Sequence, residues 1–184
     1  MPGWKYGDLC RMKDSELEPI FRSGKTPDLK NLLGFEFRGY NVPFITQVLG
    51  FRQFKKGFFA LPGQSPEGPE IMGFNVLVAQ TSLTGKWQAL PSEEAPKRYG
   101  FYRVYRVKPG ETDNKYPNAL LLNYGISRNG LNPARLLRDY LVQPDPQNID
   151  LYLGRAFFAI GPLRVFPSFF VLERHNPIKG EIGY

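Results

Sequence analysis

The chain has 184 residues, long enough for one sizeable core and too short for two ordinary domains. Hydrophobic residues make up 42% and charged residues 22%, close to the globular average, so composition points neither to disorder nor to a membrane span. A formal charge of +7 raises the question of a polyanionic partner, but the 24 basic residues are scattered. Local concentrations occur only at Arg52, Lys55 and Lys56 and between Lys97 and Lys108, which reads as a solvated basic surface and does not favour nucleic acid.

Aromatics reach 15%, led by fifteen Phe and ten Tyr, a composition that suits strands with a ring-lined interior. The single cysteine, Cys10, excludes an intramolecular disulfide and a cysteine-based metal cluster. Charged residues appear by Lys5 and Asp8, with no apolar run after them to serve as a signal-peptide core, so the expectation is a cytoplasmic protein without a transmembrane segment.

In chain order, residues 1–33 carry short helical signals. Ser15 with Glu18 three residues on forms a capping-box pattern, Leu17, Ile20 and Phe21 share one helical face, and Gly24 ends it. Thr26 and Pro27 then suggest a cap and first helical position, with Leu29, Leu32 and Leu33 apolar and Gly34 as a left-handed stop. This arm is expected to plug or cover something.

From Gly34 the period changes to two, with Phe35, Phe37 and Gly39 opposed to Glu36, Arg38 and Tyr40. A short helical segment is expected at 44–49, an aromatic-rich strand at 51–61 and a Pro/Gly loop at 61–69. Further strands are expected at 71–81, around Trp87, at 99–108 and at 119–124. Residues 132–142 open like a helix at Asn132-Pro133, yet their apolar run favours a strand. Two last strands, 151–160 and 163–174, flank a Gly161-Pro162 corner. The spacing predicts a mainly β, single antiparallel up-and-down barrel of about eight to ten strands with short N-terminal helices: one domain over 1–184, comprising a helical arm (1–33), the barrel (34–174) and a tail (175–184).

Two segments carry a resemblance. Leu33-Gly34-Phe35-Glu36-Phe37-Arg38-Gly39-Tyr40 is similar to a GXWXG motif, with Phe37 in place of the tryptophan and the glycines displaced. Residues 118–174 then present in order an apolar strand, Leu136 to Tyr140, Leu151 to Arg155 and Phe169 to Arg174. Together they resemble bacterial GXWXG-containing lipocalin-like barrel domains of unknown function. The resemblance implies a calycin-type barrel with an interior cavity and brings no catalytic residues with it.

Dedicated chemistry is sparse. His175 is the single histidine, so a multi-histidine metal site is excluded, and no phosphate-binding glycine loop or dense acidic cluster occurs. No cofactor is expected. The informative residues are polar side chains within apolar strands: Glu36, Arg38, Asn75, Arg103, Asn123, Arg138, Asp139, Tyr140 and Arg155. A buried arginine needs a carboxylate partner, such as Asp139 or Glu36 for Arg138 or Arg155, or else an anionic ligand. The candidate ligand-binding set is Arg38, Tyr40, Arg103, Tyr105, Asn123, Tyr124, Arg138, Tyr140 and Arg155. It rests on strand polarity, and a one-residue register change turns every member to the other face. The expected function is binding of a small apolar or amphipathic molecule, with an acidic group allowed, in the barrel. The alternatives are a cofactor-independent isomerase, cyclase or hydratase using the same cavity, and a basic nucleic-acid-binding barrel. A homodimer is compatible with the paired aromatics Phe58-Phe59, Phe157-Phe158 and Phe169-Phe170.

Overall fold

The computed structural model describes residues 3–42, 52–61 and 70–184; the helix expected at 44–49 and the loop expected after Leu61 lie outside them. Two short helices, α1 (Tyr6–Leu9) and α2 (Asp14–Ser23), and a 3-10 turn (Leu29–Asn31) precede the sheet. The strands are β1 (Phe35–Asn41), β2 (Gln53–Leu61), β3 (Glu70–Val76), β4 (Arg98–Arg106), β5 (Leu120–Asn123), β6 (Leu137–Val142), β7 (Leu151–Ile160) and β8 (Leu163–Pro177). Each pairs antiparallel with the next and β8 returns to β1, giving a closed eight-stranded up-and-down barrel. Closure leaves no sheet edge to be paired by another chain.

The ambiguous stretch 132–142 takes both forms: a 3-10 turn (Pro133–Leu136), capped by the Asn132 side chain, runs straight into β6. At the arm, the N-terminus of α2 differs from the expected Ser15 and Glu18 box. The helix begins at Asp14, and Glu16 accepts the Lys13 N–H at 2.8 Å. Glu18 is thereby free to pair with Arg22 and Arg155. β8 also runs past His175 to Pro177.

Both faces of the wall are covered. Leu9, Leu17 and Phe21 of the helical arm bury the outward residues of β5 to β8, among them Leu121, Tyr140, Leu153, Phe169 and Val171. Ile178, Ile182 and Tyr184 of the tail lie against Phe59, Phe74 and Phe101 on the outside of β2 to β4. The interior cluster is Phe37, Phe58, Tyr102, Leu122, Tyr152, Leu172 and their neighbours, and Leu32 joins it with no exposed surface. Residues 29–33 therefore stop the end of the barrel where β1 begins, and the arm both plugs and covers.

The wall is shaped by glycines opposite rings. Gly39 pairs with Phe54, Gly57 with Phe74, Gly73 with Tyr102 and Gly154 with Phe170. A Cβ on Gly154 would stand 2.0 Å from the Phe170 ring, so the ring lies flat across its partner strand where any other residue would hold it off. No helix among the described residues is long and apolar enough to cross a membrane.

Candidate functional site

Opposite the plugged end, the barrel opens into a cavity of about 340 Å3. Its walls are mostly apolar, with Phe54, Tyr99, Phe158, Phe170, Leu77, Leu137, Ala134 and Ala156 beside the polar Asn41, Gln53 and Ser168, and its floor is polar: Lys56, Asn75, Tyr124 and Asp139. The apolar wall and floor positions alternate with outward residues on seven strands or strand ends, β2 to β8, which converge because an eight-stranded barrel has a bore just wide enough for one layer of side chains or one small ligand.

Lys56 is the centre of the floor. Its Nζ donates to Asp139 Oδ2 at 2.9 Å, to Asn75 Oδ1 at 2.9 Å and to the Tyr124 hydroxyl oxygen. The Tyr124 O–H donates in turn to Asp139 Oδ2 at 3.1 Å, while Asn75 Nδ2 donates to Gly100 O and to Tyr124. The ammonium also faces the rings of Tyr102 at 4.8 Å, Tyr124 at 5.1 Å, Phe170 at 5.3 Å and Phe54 at 5.5 Å. Every Lys56 proton is thus used. Among the described residues Asp139 Oδ1 is buried without a hydrogen-bond partner, while Lys56 keeps no free donor.

Burial lowers the Lys56 pKa and the Asp139 charge opposes that shift. Burial raises the Tyr102 and Tyr124 hydroxyls well above the ordinary tyrosine value, and Asp139 adds to both shifts. The site therefore holds a lysine biased toward losing its proton next to phenols biased toward keeping theirs.

Of the candidate ligand-binding set only Tyr124 reaches this cavity, together with Asn75 and Asp139 from the polar residues noted within apolar strands. The others sit on the outside of the wall. Arg38 pairs with Glu173 and lies 4.6 Å over the Tyr6 ring, and Tyr40 packs under the arm. Arg103 meets Glu70 at 2.7 Å in solvent. Asn123 donates to the Tyr105 hydroxyl at 2.8 Å. Arg138 pairs with Asp113 at 3.3 Å, and Tyr140 donates to the Asp113 carbonyl at 3.0 Å. Arg155 is held by Glu18 of α2 and lies 4.9 Å over Phe169. Arg138 and Arg155, both half-buried, are therefore paired, but with Asp113 and Glu18 in place of the expected Asp139 or Glu36. Asp139 belongs to Lys56, and Glu36 lies 3.7 Å from Lys55 on the outer face.

Lys56 corrects the reading of Arg52, Lys55 and Lys56 as a surface basic group, since it points into the bore. The signal that marks it is Phe54 and Phe58 two residues to either side, on the same face of β2. His175 lies outside, beside Arg38, Trp87 and Glu93, away from the cavity. Cys10 is buried under the arm, and burial pushes its thiol up to about 12, which keeps it protonated and poorly nucleophilic. In comparisons with known proteins, the chain matches no family model, no curated protein and no solved structure.

Proposed function

We propose that the barrel binds one small apolar or amphipathic molecule, rings and aliphatic side chains holding its body and Asp139 Oδ1 accepting a hydrogen bond from its head group. The observation that carries this reading is the coincidence of a cavity of about 340 Å3, its walls mostly apolar, with an acceptor on its floor, Asp139 Oδ1, that has no partner among the described residues. An alcohol, phenol or N–H head group completes that acceptor. A carboxylate head group is disfavoured, because the three Lys56 protons are already bonded and Asp139 would repel it. The resemblance to calycin-type barrels, whose architecture encloses one small ligand, points to the same use of the interior.

The test is native mass spectrometry of freshly purified protein, followed by fluorescence titration with N-phenyl-1-naphthylamine, a neutral apolar probe with one N–H. Saturable binding to the wild type, lost in Ala156→Phe where a ring fills the cavity, supports the reading. Equal binding by both proteins overturns it.

A second reading, catalysis in the same cavity, draws on Lys56. A lysine with a depressed pKa beside a carboxylate and a phenol is a workable acid–base group for a cofactor-independent isomerisation or hydration. A compound released from the native protein would serve as its first candidate substrate, and its unchanged recovery after incubation counts against turnover.

A further inference from the structure

We infer that the open end of the barrel docks on an anionic lipid surface. Among the described residues nine large hydrophobic side chains are exposed, and all but Trp4 and Ile149 lie on the β5–β6 connection or the β7–β8 hairpin. Both leave the barrel at the end where the cavity opens. The most prominent are Leu131 at 90% exposed, Phe166 at 75% and Leu163 at 61%, and Phe158 both lines the cavity and reaches this rim. Phe166 takes φ 53°, a left-handed conformation rare for a bulky residue, while its ring stays in solvent.

Charge selects the occupant. Residues 125–136 and 158–167 contain three arginines and no Asp or Glu. Arg164 shares the Asp113 carboxylate with Arg138, whereas Arg128 and Arg135 are exposed and form no ion pair among the described residues. A second copy of the chain in a two-fold dimer would set this basic rim against itself. Anionic lipid complements it, with apolar side chains entering the interface and the arginines at headgroup level. These residues stand on separate loop tips around an opening, so a surface that yields locally fits them better than a flat protein face. The inference is independent of what the cavity holds.

The test is co-sedimentation of the full chain with phosphatidylcholine vesicles prepared with and without phosphatidylserine. The expected result is binding that needs the anionic lipid, weakens with salt, and falls by about tenfold or more in Leu131→Ser with Phe166→Ser and in Arg128→Glu with Arg135→Glu. Circular dichroism and probe binding without vesicles check that each variant folds. Phe166→Trp keeps an aromatic ring at the rim, and its added emission should shift to the blue on anionic vesicles relative to wild type. The inference is overturned if wild type stays in solution, if the serine and glutamate variants bind as well as wild type, if the Phe166→Trp variant shows no shift, or if light scattering shows a dimer that the Leu131 and Phe166 substitutions dissociate.

Discussion

Lys56 of β2 and Asp139 of β6 stand on opposite sides of the barrel and meet across its bore at 2.9 Å, both almost wholly buried. Such a pair contributes little net stability, since desolvation offsets attraction, but removing one member leaves the other charged in a dry interior. Lys56→Met is therefore expected to destabilise by about 3–5 kcal/mol, and Lys56→Met with Asp139→Leu to recover most of that loss. Urea unfolding of the three proteins checks it. A fully stable Lys56→Met variant would show that water or an alternative partner already serves Asp139.

The flat rings predict a different failure. Gly154→Ala drives a methyl group into Phe170, which lines both the interior cluster and the cavity. A cost of about 1–3 kcal/mol is expected, together with weaker probe binding as the ring tips into the cavity. Phe170→Leu combined with Gly154→Ala should restore part of the stability, because the shorter side chain need not cross the partner strand. If the double variant is worse than the sum of the two, the steric account fails.

How much of this was legible follows from the same geometry. Closure, strand order and the helical arm are written in the period-two stretches and their Gly and Pro punctuation, and the 3-10 turn before β6 in the Asn132-Pro133 cap. The inward face was not, because arm and tail make the outer face nearly as apolar as the bore. Phe101, Arg103 and Tyr105 and Phe54, Lys56 and Phe58 have the same pattern, a cation between rings. The first set faces out and the second in. Only long-range pairing separates them, and β4 is further disguised by the irregularity opposite Gly73 and Asn75. Asn75 and Asp139 stood out as polar groups in apolar strands, but the lysine that joins them is named by no local pattern except its flanking rings.

Arg103 and Arg155 separate the outer wall from the site. The Arg103 and Glu70 pair is largely solvated, so Arg103→Leu should change stability by less than about 1 kcal/mol and leave probe affinity untouched. Arg155 ties α2 to the barrel through Glu18 and stacks over Phe169, so Arg155→Leu should loosen the arm. Faster amide exchange in α2, with unchanged probe affinity, is the expected signature. A fall in affinity for either variant would return these arginines to the ligand site.

The buried phenols and Lys56 give stability a maximum in alkaline solution. Burial raises Tyr140 to about 12, and burial with the added influence of Asp139 raises Tyr102 and Tyr124 well above the ordinary tyrosine value. Above the ordinary tyrosine value of 10.0 the unfolded chain loses protons that the folded chain keeps, so stability falls as pH rises from there through the folded-state values. Lys56 acts in the opposite sense. Its lowered pKa means that the folded state sheds a proton which the unfolded chain holds up to 10.5, so stability rises with pH across that interval. Urea unfolding from about pH 7 to about pH 11 should show a rise and then a fall. Lys56→Met should flatten the rising limb and Tyr140→Phe should soften the falling one, while tyrosinate absorbance of the folded protein lags that of the unfolded chain. Coincident tyrosinate titrations in the two states would contradict the burial on which the falling limb rests.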